Sequence, residues 1–112
     1  MLVKKEETFK KQNSSKCTVF EYEYPKQSSS FATALINGRY PEEGKSVNLD
    51  CEQIYFVISG SGVIHSEKGD FYINEGDLYY FEKKEAYFVN GNNLLVAIMN
   101  FPKWDFNQYK II

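Results

Sequence analysis

The sequence predicts an all-β domain, and three observations carry that expectation. Turn signals recur at short, even intervals between residues 25 and 93. The runs between them are β-rich, and some alternate apolar with polar residues, as in Thr18-Val-Phe-Glu-Tyr-Glu-Tyr24, the period of a half-buried strand. Nine Tyr, nine Phe and one Trp bring aromatics to 17%, and such residues favour strands and line concave sites. No 3.6-residue periodicity competes, so a sandwich or barrel is expected.

Taken in order, residues 1–16 are polar and Lys/Glu/Gln/Ser-rich, a loose arm or an added edge strand. Thr18–Tyr24 is the first regular strand, and Pro25-Lys-Gln-Ser-Ser-Ser30 breaks it as a loop. Phe31–Ile36 forms the next strand, which Asn37-Gly38 ends. Arg39-Tyr-Pro-Glu-Glu-Gly44 is a turn-rich connection in which Pro41 bars regular pairing. Strands then follow at about 46–50, 53–59, 62–66, 70–74, 78–82, 86–89 and 94–100. Gly60-Ser-Gly62, Lys68-Gly69-Asp70, Asn74-Glu-Gly-Asp77 and Asn90-Gly-Asn-Asn93 separate them, because Gly and Asn accept positive φ cheaply. Only Trp104–Tyr109, after Pro102, is helix-compatible. The expected organisation is an arm at 1–16, one domain at 17–102, and a tail at 103–112 that packs on the barrel or on a dimer partner.

Composition narrows the function classes. A chain of 112 residues holds one core. A formal net charge of −2 argues against a nucleic-acid or anionic-membrane partner. No apolar run approaches the roughly 18–20 residues that span a bilayer, and Met1-Leu-Val-Lys-Lys-Glu-Glu lacks an apolar leader core. Cys17 and Cys51 are too few for a disulfide framework or a zinc knuckle. A reduced, cytoplasmic protein is expected, in which the Asn13-Ser-Ser15 sequon is a chance match.

Two motifs carry the chemistry. The first runs Asn48-Leu-Asp-Cys-Glu-Gln53 into a strand that closes at Gly60-Ser-Gly62; the second runs from Gly76-Asp77 through Tyr79, Phe81 and Tyr87 to Asn90-Gly91. Their order and spacing resemble a single-domain cupin, a small double-stranded β-helix or jelly-roll barrel, over roughly residues 30–102. Arg39-Tyr-Pro-Glu-Glu-Gly44, Val47-Asn48 and the tail from Phe101-Pro-Lys-Trp to Gln108 further resemble small cupins of unassigned function. In metal cupins the first motif supplies two histidines and a glutamate. Here the glutamate position falls on Gln53. The histidine positions fall on Ser46 and Asn48, or on Val47 and Leu49 in the other register. The ligand histidine of the second motif falls on Tyr87, and its proline on Glu82. Amides and a phenol are weak neutral ligands for Fe, Mn, Ni or Zn, so no metal or other cofactor is expected.

The resemblance puts the Gln53, Tyr55, Val57 face of strand 53–59 inside the barrel, with Ile54, Phe56 and Ile58 outside. Asn48, Gln53, Tyr55 and Tyr87 would then line the pocket mouth and bind a small polar molecule, possibly a sugar. In a rival reading these groups satisfy one another in a filled barrel, and the surface carries the function. In another, Tyr87 is the general acid of a metal-independent isomerase or epimerase, as in sugar-epimerising cupins, with Cys51 or His65 assisting. Against that, His65 reads as a hairpin histidine and Cys51 as a buried structural thiol. Arg39, Glu42 and Glu43 form a salt-bridged turn or a ligand-gripping loop. Trp104 and Phe106 cover an apolar patch or a subunit seam, and a homodimer is expected.

Overall fold

The computed structural model describes all 112 residues. Nine strands form one curled sheet: β1 (Phe9–Ser14), β2 (Cys17–Tyr22), β3 (Ser30–Tyr40), β4 (Ser46–Asn48), β5 (Glu52–Ser66), β6 (Gly69–Asn74), β7 (Leu78–Phe81), β8 (Tyr87–Phe101) and β9 (Tyr109–Ile111). Neighbours run β1-β2-β3-β8-β4-β9, and β5 pairs with β6, β7 and β8, every pairing being antiparallel. No helix is long and apolar enough to cross a membrane.

Of the two readings of the N-terminal segment, the strand is the one found, since β1 pairs with β2 from Phe9↔Glu21 to Ser14↔Cys17. The expected helix at Trp104–Tyr109 shrinks to a 3-10 turn at Phe106–Gln108, capped by the Asp105 side chain. Tyr109 then starts a strand that pairs with β4. Arg39 is also bound differently from the salt-bridged turn. Its guanidinium donates to the carbonyls of Pro41 and Gly44, not to Glu42 or Glu43.

The largest departure concerns three glycine segments expected to end strands. Asn37-Gly38, Gly60-Ser-Gly62 and Asn90-Gly-Asn-Asn93 all lie inside long continuous strands. Gly38 pairs with Gly91, and Gly91 with Gly62, so the glycines form a row across β3, β8 and β5. Register shifts beside the row mark bulges, which bend a strand without ending it. A Cβ on Gly91 would collide with the Ile36 carbonyl, and one on Gly62 would sit 2.7 Å from the Asn90 oxygen. Gly38 takes φ +117° and Gly60 φ +77°. Glycine here serves close backbone approach and sheet curvature, not chain reversal.

Inside the curl, Val57, Ile64, Val89, Leu94 and Val96 are sealed from solvent and form the core with Ile36, Ile73 and Phe81. Along β5 the expected alternation appears, with Gln53, Tyr55 and Val57 buried and Phe56 and Ile58 exposed.

Candidate functional site

One end of the barrel is hollow. A cavity of about 480 Å³ lies between β2 and β3 on one side and β4, β5 and the C-terminal segment on the other. On the β3 wall, Ala32 and Ala34 lie inward between Ser30 and Ile36, and the two alanines are too small to reach across. Phe81 packs behind the cavity, with Tyr55 at 4.9 Å and Tyr87 at 4.2 Å between ring centroids.

The four residues singled out from sequence, Asn48, Gln53, Tyr55 and Tyr87, all line this cavity. They lie deep in it, not at the mouth: none is more than 7% exposed. The charged residues Lys11, Glu21, Glu23 and Lys103 line the same cavity and retain solvent access. They are mutually neutralised, with Lys11–Glu21 at 3.0 Å and Lys103–Glu23 at 3.2 Å. Lys11 also sits 5.3 Å above the Trp104 ring.

The buried polar groups form connected hydrogen-bond chains. Tyr87 OH donates to Gln53 Oε1 at 3.1 Å, Gln53 Nε2 to Asn100 Oδ1 at 2.8 Å, and Asn100 Nδ2 to Ser30 Oγ at 3.2 Å. The Trp104 backbone N–H also donates to Ser30 Oγ, at 3.0 Å. Trp104 Nε1 and Gln108 Nε2 converge on Asn48 Oδ1 at 3.1 and 2.9 Å. A separate hydroxyl chain joins Tyr40, Tyr109 and Ser46 at 3.0 and 2.5 Å. No buried side-chain N or O atom is left without a partner, as low-dielectric burial demands.

Sequence reasoning missed Asn100, Ser30, Tyr40 and Tyr109. Asn100 left a signal: it is the polar member of the inward series Leu94, Val96, Ile98, Asn100. Trp104, expected with Phe106 to cover an apolar patch or a subunit seam, instead orients Asn48 together with Gln108.

Burial shapes the acid–base character. It pushes the Tyr40, Tyr55 and Tyr87 hydroxyls above the ordinary phenol range and the Cys17 thiol up to about 12. These groups stay neutral at ordinary pH. The two assistants considered for Tyr87 lie elsewhere. His65 sits outside the barrel, bonded to Asp70 at 2.8 Å and stacked on Phe88 at 4.5 Å. Cys51 is buried against the Pro102 and Lys103 carbonyls, and burial raises its pKa.

No family model and no curated protein matches the chain. Solved structures do. Streptomyces Pac13, described as a nucleoside dehydratase, superposes with a TM-score of 0.89 at 14% identity, over 100% of this chain and 90% of that one. The fold is that of the cupins. KdgF from Halomonas gives 0.78 at 12% identity, over 94% and 96% of the two chains. Ectoine synthase from P. lautus gives 0.74 at 16%, over 100% and 90%.

A cupin fold raises the question of a metal. The donors at the buried end of this barrel are the Asn48, Gln53 and Asn100 amides with the tyrosine hydroxyls, and nowhere do three His, Cys, Asp or Glu side chains cluster. Neutral amides and phenols do not fit a transition ion, which wants imidazole, thiolate or carboxylate.

Proposed function

We propose that this cupin binds a small, neutral, polar metabolite in its barrel, without a metal. One observation carries the reading: a cavity of about 480 Å³ ends in neutral hydrogen-bonding side chains. That volume falls within the roughly 300–1,000 Å³ typical of small-molecule sites. A monosaccharide or a nucleoside belongs to this class, and variants of Streptomyces Pac13 are described with uridine. Tyr87 acts here as a positioning donor. Its hydrogen-bond partner is an amide, and burial holds its proton, so it lacks the matched pKa that general acid catalysis favours.

The test is a heteronuclear NMR titration of uniformly ¹⁵N-labelled protein with monosaccharides and nucleosides. Saturable shifts of the Trp104 indole and of Asn and Gln side-chain amides are expected. Silence across the whole panel would sink the reading and favour an interaction module. Elemental mass spectrometry on untagged protein checks the metal: well under one transition ion per chain is expected, and a stoichiometric ion would return metal chemistry to the site.

We also propose a homodimer in the cytoplasm. The outer sheet face carries Ile54, Phe56 and Ile58 on β5, Leu78 and Tyr80 on β7, and Met99 on β8, and most of these are substantially exposed. With β3 and β2 this face is five strands wide, about 19 Å across at ~4.8 Å spacing. Both cysteines are free, which suits a reducing compartment. Sedimentation velocity should report a dimer that Phe56→Glu converts to a monomer; a monomeric wild-type chain would refute the pairing.

A further inference from the structure

The hydrogen bonds at the buried end of the cavity have a direction. An indole N–H can only donate, so the Asn48 atom facing Trp104 at 3.1 Å is the amide oxygen. Gln108 donates to that same oxygen at 2.9 Å. The Asn48 nitrogen is thereby turned away from the C-terminal segment, and it has no protein partner. Asn48 is only 3% exposed, yet no fully buried side-chain N or O in the molecule lacks a hydrogen bond. Its unpartnered N–H groups therefore open onto the cavity that Asn48 lines.

The same polarity continues across the site. Gln53 Oε1 is taken by Tyr87, Asn100 Oδ1 by Gln53, and Ser30 Oγ accepts from both Asn100 and the Trp104 backbone. Each amide oxygen is engaged, whereas Gln53 and Asn100 each keep a second N–H and Asn48 keeps both. The cavity's two lysines are committed to Glu21 and Glu23, so an ionised ligand group reaching Asn48 would meet no unpaired cation. Beside Asn48, the donor of a polyol hydroxyl would meet an oxygen that already accepts two hydrogen bonds. A neutral carbonyl oxygen only accepts, and meets neither obstacle.

We infer that Asn48, supported by Gln53, is a donor cradle for a neutral carbonyl oxygen, which makes the ligand a ketone, lactam or imide in preference to a polyol. The inference rests on the reading of the barrel as a site for neutral polar ligands, and it narrows that class. Trp104 and Gln108 are positioning residues: by holding the amide oxygen they fix which way the nitrogen points.

The experiment compares two neutral six-membered rings with oxygens in a 1,3 relation, glutarimide and cis-1,3-cyclohexanediol. Both are titrated against ¹⁵N-labelled protein while the Asn48 side-chain amide is followed. Glutarimide should shift that amide saturably, and the diol should bind at least about ten-fold more weakly, the scale of one mismatched hydrogen bond. Asn48→Asp keeps an oxygen for Trp104 and Gln108 but removes the N–H donors, so it should abolish the preference for glutarimide. Should that variant fail to fold, the wild-type amide shifts decide alone. Equal or tighter binding of the diol would overturn the carbonyl cradle while leaving the barrel a binding site. Silence from both rings, in a protein that still takes monosaccharides or nucleosides, would overturn it as well. Silence from every probe would instead sink the broader reading.

Discussion

Strands β5 and β8 run through both halves of the barrel, yet the halves are built in opposite ways. In one half they present Val57, Ile64, Val89, Leu94 and Val96, none more than 1% exposed. In the other the same strands present Gln53, Tyr55, Ile98 and Asn100 beside Ala32 and Ala34 of β3, and about 480 Å³ stays open. Small side chains on β3 contribute to the opening, since neither alanine reaches far into it. Polar pairing completes it. The amides and hydroxyls bind one another, which removes the desolvation penalty that would otherwise accompany their burial. A hollow interior is therefore compatible with a fully satisfied one.

The contrast can be broken first in the solid half. Leu94→Ala should cost about 2–5 kcal/mol, the range for deleting a sealed leucine, read by denaturant unfolding. A loss below about 1 kcal/mol would mean that this half is not close-packed. On the polar wall, Gln53→Leu strands the Tyr87 hydroxyl and the Asn100 oxygen, and about 1–3 kcal/mol should be lost. High pH probes the buried hydroxyls and thiol together. Their folded pKa values are raised, Cys17 from 9.0 to about 12 and Tyr55 and Tyr87 above 10.0. The unfolded chain therefore ionises first, so their contribution is fully present below about pH 9 and falls as pH rises further. Melting temperature should be flat from pH 7 to 8.5 and decline above about 9; a rise in that window would contradict their burial. The smallest stability effect belongs to Ala34→Leu, which grows into open space. Stability should move by less than about 1 kcal/mol, because nothing is overpacked, while ligand-induced NMR shifts disappear.

Much of the hollow wall is legible in the sequence. The β5 face follows from period-2 alternation alone, and the cupin-like spacing points to Asn48 and Tyr87. What pairs with them is less accessible. Gln53 meets Asn100 across 47 positions and Tyr40 meets Tyr109 across 69, separations at which no local pattern operates. The depth of the site misleads for a related reason: four polar residues suggest a mouth, and only their mutual hydrogen bonds permit burial. Glycine is ambiguous in its own way. Gly60-Ser-Gly62 and Asn90-Gly-Asn-Asn93 carry turn chemistry, but a strand bending against its neighbours needs the same residues. Length could not arbitrate, because β5 and β8 each run for 15 residues.

The glycine row has a consequence for redesign. Gly91 is pinned by the Ile36 carbonyl and Gly62 by that of Asn90, so curvature is enforced by backbone touching backbone. Shape is thus encoded in the backbone of the row, and the cavity is lined by side chains to one side of it. Ala32, Ala34, Gln53 and Asn100 can be exchanged for new letters without disturbing what curls the sheet. That makes this small barrel a vessel whose lining can be rewritten while its form is left alone.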